Sequence, residues 1–298
     1  MVVPIKTIGG YYIMLKVHQK KNIFLFLLGF ALTLVVTACG GSEAEETNTT
    51  ASAWDQMKEK GTITVGTAGT LYPTSYHDSE TDQLTGFEVE VVREMGKRLD
   101  LEVEFVEMAF DGMLTSINSG TIDIAANDIS ITEDRKEKFA FSIPYKYSFA
   151  TAIVRKDDLS GIETIEDIKG KKAAGEATTI YMDIARKYGA EEVIYDNATN
   201  EQYLRDVSSG RTDIIINDYY LQKLGLEAFP DLNITIHPEL KFETPDEGVG
   251  MIMKKGNNEL KEQIDQTIKE MLEDGTISEL SKQFFGGDDV TQKPVLNY

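Results

Sequence analysis

Apolar and polar residues alternate through residues 62–66 (Thr-Ile-Thr-Val-Gly), a period of two that predicts a strand. After a loop rich in Gly, Thr, Pro and Tyr (residues 67–82) the period changes. Phe87, Val91, Met95 and Leu99 recur at four-residue steps, the stripe of an amphipathic helix. The exchange of periods then continues. Residues 103–106 predict a strand, Met113, Leu114 and Ile117 a short helix stopped by Gly120, and residues 122–126 another strand. Thr132 opens a helical turn with Glu133 and Asp134 in its first positions, where the helix dipole favours acids.

The second half repeats the alternation. A capped short helix starts at Thr164 and ends near Gly170, and a strand covers residues 172–174. A helix carrying Ile180, Ile184 and Tyr188 is capped by Thr178 or Thr179. Residues 193–195 predict a strand, 200–209 a helix closed by Gly210, and 213–216 a strand. Leu260, Ile264, Ile268 and Leu272 form one face of a helix that stops at Gly275, and Ile277, Leu280 and Phe284 belong to a last helix. Strand-helix alternation of this kind predicts an α/β fold with mixed, mostly parallel sheets. Two extended stretches without a neighbouring helix, residues 150–155 and 248–253, bracket a central block. Two crossings between a central block and its flanks describe two lobes joined by a two-stranded hinge. The expected division is residues 55–152 with 251–286 as one lobe, 153–250 as the other, and 287–298 as a flexible tail.

The N-terminus follows a different pattern. Lys16, Lys20 and Lys21 precede an apolar run, residues 23–36, which ends in Thr37-Ala38-Cys39-Gly40-Gly41. A membrane-spanning helix needs roughly 20 apolar residues, and this run is shorter. A basic segment, an apolar segment and small residues at a cut site describe an export signal over residues 1–38, with Met14 as the more natural start. Cys39 is the one cysteine of the chain. In this setting it resembles the lipobox of bacterial lipoproteins, which implies cleavage before Cys39 and a lipid anchor on its sulfur. Two acyl chains, as in a diacylglyceryl group, hold a protein stably to a bilayer where one does not. Residues 39–54, polar and nearly free of apolar bulk, are expected to be a disordered tether. The expected location is the extracellular face of the cell membrane, in a single-membrane bacterium.

Charge narrows the partners. The chain carries a formal charge of −20. With the four lysines of residues 1–38 set aside, 26 basic residues face 50 acidic ones. Such acidity argues against a nucleic-acid partner or an anionic membrane face. One cysteine and three scattered histidines offer no soft metal site, and no cofactor is expected.

The motifs accumulate in a fixed order. They include Val65-Gly66-Thr67-Ala68-Gly69-Thr70, Leu84-Thr85-Gly86-Phe87-Glu88, Phe110-Asp111-Gly112-Met113-Leu114 and Ser119-Gly120-Thr121-Ile122-Asp123. Ile131-Thr132-Glu133-Asp134-Arg135, Phe139-Ala140-Phe141-Ser142, Gly210-Arg211-Thr212-Asp213 and Asp274-Gly275-Thr276-Ile277 follow. In this order and spacing, residues 62–286 resemble family 3 of the bacterial extracellular solute-binding proteins, the polar amino-acid receptors of ABC importers. The resemblance implies a two-lobed, type II periplasmic-binding-protein fold with ligand between the lobes. It also implies an ABC permease with its ATPase as partner; the receptor itself is expected to be a monomer.

A free amino acid presents a carboxylate and an ammonium on one carbon, and a cleft that strips both of water must supply opposite charges. The resemblance assigns Arg135 to the carboxylate, where its planar fork can grip both oxygens. Thr178 and Thr179, at a helix start, complete that clamp; Ala177 stands before them where the family usually has glycine. Asp218, at the end of a strand, is assigned to the ammonium, as are Asn127 and Ser130. Asp128, in the same segment, either adds negative charge for a cationic ligand side chain or caps the Thr132 turn. Phe110 is expected to lie flat on the ligand side chain. Leu71 and Thr74 stand where the family tends to have aromatics, and Tyr72 or Tyr76 is the expected replacement. The asparagine-aspartate pairs at 127–128 and 217–218, with residues 65–70, look most like binders of cystine and related sulfur amino acids. Rival readings are an enzyme of the prephenate- or arogenate-dehydratase type, for which no nucleophile, reactive cysteine or metal cluster is evident, and a sensor or adhesin ectodomain.

Overall fold

The structure is a computed structural model that describes residues 52–240, 242, 244 and 247–294. The expected signal, Cys39 and nearly all of the expected tether lie outside the described residues.

The first lobe is built on a five-stranded sheet. Its spatial order is Glu102–Glu107, Thr62–Thr67, Ile124–Ala125, Ile252–Lys254 and Phe139–Phe141. The first three strands are parallel, and Ile252–Lys254 runs antiparallel to both of its neighbours. One face is covered by the helix Phe87–Leu99, which packs Phe87, Val91, Val92 and Met95 against Ile264, Ile268 and Ile277 from the two C-terminal helices. The other face receives Met113 and Ile117 from the helix Phe110–Ser119. Each such side chain, fully buried, contributes about 1.5–3 kcal/mol. The expected helix periods therefore mark real core faces. Gly120 ends the helix Phe110–Ser119 at φ 75°, a left-handed conformation that glycine adopts without strain.

The second lobe centres on Ala150–Arg155, which pairs antiparallel with Ile215–Asp218 on one side and Ile234–Ile236 on the other. Lys172–Gly175 and Glu191–Ile194 form a parallel pair, joined to this sheet through the bridge between Ala173 and Ile214. Helices Ile180–Lys187, Asn200–Ser208 and Tyr219–Ala228 cover it. The sheets are thus mixed, and less parallel than the strand-helix alternation suggests. The chain crosses between the lobes over residues 142–150 and, among the described residues of the return, at 242 and 247–250. There Tyr145 donates to Val249 and Val249 donates to Lys146, with antiparallel bridges Lys146–Val249 and Ala150–Phe242. The crossings therefore meet at the first residues of the two expected hinge stretches, Ala150 and Val249, and the strands that follow, Ala150–Arg155 and Ile252–Lys254, part into different sheets.

Three local differences have physical causes. A helix, Ala53–Lys60, begins inside the span expected to be tether, because Ser52 and Asp55 form a reciprocal capping box and Met57 is buried against the first-lobe core. The expected strand 213–216 is displaced to Ile215–Asp218, because the Asp213 carboxylate accepts from the Lys172 amide and holds a turn. The span expected to be a tail is docked at Val290. Its side chain is fully buried, its amide donates to the Ser281 hydroxyl, and its carbonyl accepts from the Tyr147 amide.

Candidate binding cleft

A cleft of about 880 Å³, counting its open mouth, runs between the lobes. Ala68, Thr70, Leu71, Phe110, Asn127, Asp128, Ser130 and Arg135 line it from one side; Glu176, Thr179, Asn200, Tyr203 and Asn217 line it from the other. The structure therefore gathers Arg135, Thr179, Phe110, Ser130, Asp128 and Asn127 around one space, although they come from segments far apart in sequence.

Arg135 stands in a single helical turn, Glu133–Lys136, whose start is capped by Thr132 accepting from the Arg135 amide. Its guanidinium folds back over the Phe110 ring, 5.4 Å from the ring centre. One nitrogen donates to the Ser130 carbonyl at 2.9 Å and another to the Thr178 carbonyl at 3.1 Å, across the cleft. Burial lowers its pKa from the ordinary arginine value, with Asp183 and Tyr181 opposing. An anion entering the cleft would restore what burial removes. Phe110 itself is buried at the first position of its helix and serves the core and the cleft floor together. Thr179 caps Ile180–Lys187 by accepting from Met182, and its hydroxyl donates to Glu176. Thr178 is exposed, and its hydroxyl donates to the Asp111 carboxylate on the opposite lobe. Thr178 thus closes the cleft from outside rather than lining it.

The acidic pole lies at the other end of the loop that carries Arg135. Asn127 accepts from the Ala68 amide and is buried. Asp128 has φ 55°, in the left-handed region that aspartate tolerates better than most residues. Its amide donates to the Glu88 carboxylate, and its own carboxylate accepts from Lys146 at 2.7 Å. The same ammonium donates to Asp218 at 2.6 Å. Lys146 has no exposed surface and Asp218 has 1%. Asp218 also caps the helix Tyr219–Ala228 by accepting from Leu221. It therefore does not reach the wall of the main cleft; it faces a small adjoining space shared with Ser130, Ser148, Phe149 and Tyr181. Burial would discharge Lys146, but Asp128 and Asp218 outweigh it and hold its pKa above that of an ordinary lysine. Glu88, by contrast, is pushed toward its neutral form. Burial, and then Asp128, raise its pKa to about 7, while the Tyr145 hydroxyl donates to its other oxygen.

The outer end of the cleft holds Glu176 and Tyr203. Burial, and then Asp111, raise Glu176 to about 7. Tyr72 is not on the wall. Its ring is exposed and packs edge-on to Tyr76 at 4.9 Å, while its carbonyl accepts from Asn200 of the other lobe. Leu71 and Thr70 occupy the wall in its place.

Lys146, Glu88 and Tyr145 were not legible as site residues. Glu88 did carry a signal, since an acid at 88 falls on the helix face of Val91, Val92 and Met95. Lys146, inside Ser-Ile-Pro-Tyr-Lys-Tyr, had only its apolar surroundings as a sign of burial.

Two lobes, two crossings and a cleft with opposite charges at its ends define a protein that holds a small solute between its halves. The chain belongs to the bacterial extracellular solute-binding proteins, family 3, whose model matches residues 63–287. It is 60% identical over 278 residues to the probable ABC transporter extracellular-binding protein YckB of Bacillus subtilis, covering 93% of this chain and 95% of that one. The crystal structure of YckB matches with a TM-score of 0.66 over 82% of this chain and 97% of that one, at 64% identity. The L-cystine-binding protein TcyA of the same organism is 35% identical over 272 residues, 90% of this chain and 98% of its own. AbpA, an amino acid ABC transporter substrate-binding protein from Streptococcus pneumoniae solved with L-arginine, matches with a TM-score of 0.71 at 28% identity, over 80% of this chain and 99% of its own. These relatives are binding proteins of transporters, which leaves the enzyme reading without support.

Proposed function

We propose that this protein captures a free polar amino acid in the interlobe cleft and delivers it to an ABC importer. The observation that carries the reading is the pairing of Arg135 and Asp128 on the wall of one cleft, with Phe110 beneath the guanidinium. The ligand carboxylate would displace the backbone carbonyls from Arg135 and take bidentate, charge-assisted bonds in their place. Thr179 and the amides at the start of its helix complete that end. The ligand ammonium goes to the segment Asn127 to Ser130. Relatives named as cystine binders favour cystine or a related sulfur amino acid, and Glu176 with Tyr203 supplies polar groups where a second amino-acid end would lie.

Export, cleavage before Cys39 and a lipid anchor on its sulfur would hold the receptor beside its permease. Two buried charge pairs and an aromatic floor suit micromolar affinity, about −8 kcal/mol. The test is a thermal-shift screen against the twenty amino acids and L-cystine. At least one is expected to raise Tm, and Arg135→Ala is expected to abolish that rise while leaving the unliganded Tm within a few degrees. An undiminished rise in the variant would reject the assignment.

A further inference from the structure

We infer that Glu176 is a specificity-determining residue of the cleft that takes a second cationic nitrogen of the ligand, either the side-chain cation of a basic amino acid or the distal ammonium of a disulfide-linked one. The inference rests on the amino-acid reading above and adds to it the charge of the ligand's far end.

Glu176 directly follows the strand Lys172–Gly175, so the end of that strand fixes its place on the cleft wall, on the side opposite Arg135. It is half-buried, and its carboxylate accepts from the Asn197 amide. Asn197 is itself held from across the cleft, where the Thr70 hydroxyl donates to its side-chain oxygen at 3.1 Å. Tyr203, from the helix Asn200–Ser208, lines the cleft beside Glu176, and its ring packs on that of Tyr195 at 4.9 Å. Burial, and then Glu176, hold the Tyr203 hydroxyl above the ordinary tyrosine range, so it stays a neutral hydrogen-bonding group.

The charges around this carboxylate decide what it can receive. Asp111, from the helix Phe110–Ser119, and Asp196 both oppose its ionisation, as burial does more strongly. The two nearby arginines are directed elsewhere. Arg186 donates to the Ala177 carbonyl and pairs with Asp183 and Glu192, and Arg135 is turned to the Ser130 and Thr178 carbonyls. A carboxylate taken from water beside other carboxylates is costly to ionise. A ligand ammonium or guanidinium brought to it offsets that cost, whereas a neutral ligand tail leaves it in place. Arg135 answers the ligand's carboxylate, and Glu176 reads the charge at its other end.

The experiment uses the detergent-solubilised full-length chain and isothermal titration calorimetry. The probes are the twenty amino acids, L-cystine, and three neutral-tail partners. These are L-citrulline for L-arginine, L-norleucine for L-lysine, and the mixed disulfide of L-cysteine with 3-mercaptopropionic acid for L-cystine. The pairs separate a side-chain cation from the second end of a disulfide. The best ligand is expected to carry a second cation and to bind about tenfold or more tighter than its partner. Glu176→Gln, which can still accept the Asn197 amide, is expected to bring that pair within about threefold. Affinity of the wild type for the cationic probe is expected to rise several-fold from pH 6 to 8, because the probe must meet an ionised Glu176. Glu88 titrates in the same range in both proteins, so the readout is the steeper slope of the wild type over the variant. The paired probes test the wild type alone and need no variant to fold. A best ligand without a second cation, a pair bound alike by the wild type, a variant that keeps the difference, or equal pH slopes would overturn the inference and leave the amino-acid reading intact. A wild-type chain that gives no heat with any probe would overturn both.

Discussion

Glu88 has no exposed surface, yet it receives the Asp128 amide on one oxygen and the Tyr145 hydroxyl on the other. Its pKa of about 7 against an ordinary 4.5 means that the unfolded chain releases this proton first. Between pH 4.5 and 7 the folded state binds more protons, so stability is greatest below that window and falls as pH rises through it. The size of the effect is on the order of 3 kcal/mol. Glu88→Gln carries no proton to lose: its oxygen can accept the Asp128 amide, and its NH₂ can donate to the Tyr145 oxygen. The variant is therefore expected to flatten the decline of Tm between pH 5 and 8. An unchanged slope in thermal denaturation followed by circular dichroism would show that Glu88 stays ionised. That this acid lies on an apolar helix face was readable from its spacing. That Asp128 and Lys146 surround it was not, because those neighbours are brought in by chain crossings many residues away.

Among the elements, the start of the helix Phe87–Leu99 decides where Glu88 sits. Gly86, at φ 129°, lets the chain approach residues 73 and 74 closely enough for Phe87 to donate to Pro73 and Glu88 to Thr74. A Cβ on Gly86 would lie 2.4 Å from the Thr74 carbonyl oxygen, and backbone cannot step aside as a flexible side chain can. Gly86→Ala is expected to cost about 2–3 kcal/mol, read as a lowered urea midpoint. A loss under about 0.5 kcal/mol would show that the loop yields. The longer helices Phe87–Leu99 and Asn258–Glu273 were legible because each buries a stripe with a period near 3.6, whereas Tyr219–Ala228 was not read. The short strands were less legible, since Thr70–Leu71, Ser75–His77 and Leu84–Thr85 are too brief to show a period. The strand Ile124–Ala125 is cut shorter than its apolar run because pairing, and not composition, sets where a strand ends.

Across the whole molecule, the lobes are held together at the cleft mouth by polar contacts. Thr178 donates to Asp111, Thr70 to Asn197 at 3.1 Å, and Asn200 to the Tyr72 carbonyl at 3.0 Å. These bonds span the cleft and are lost if the lobes part, so they favour the closed form in which a ligand is enclosed. Exposed hydrogen bonds are worth about 0.5–1.5 kcal/mol each. Asp111→Ala combined with Asn197→Ala is expected to weaken ligand binding about tenfold, with the unliganded Tm shifted by no more than a few degrees. Calorimetric titration beside a thermal melt checks both, and a large fall in Tm with unchanged affinity would place these bonds in folding instead.

What the sequence determined by itself was the list of parts: an α/β alternation, two crossings, and the residue types able to grip a zwitterion. Periodicity and motif order are local properties, written in consecutive residues, and so they survive without coordinates. Tertiary structure alone decided which parts meet. It set Asp128 on the cleft wall and Asp218 behind it, turned Tyr72 outward, and drove a lysine between two carboxylates at the hinge. The physical reason is that a buried charge takes its role from whatever surrounds it, and those surroundings are assembled only when distant segments pack.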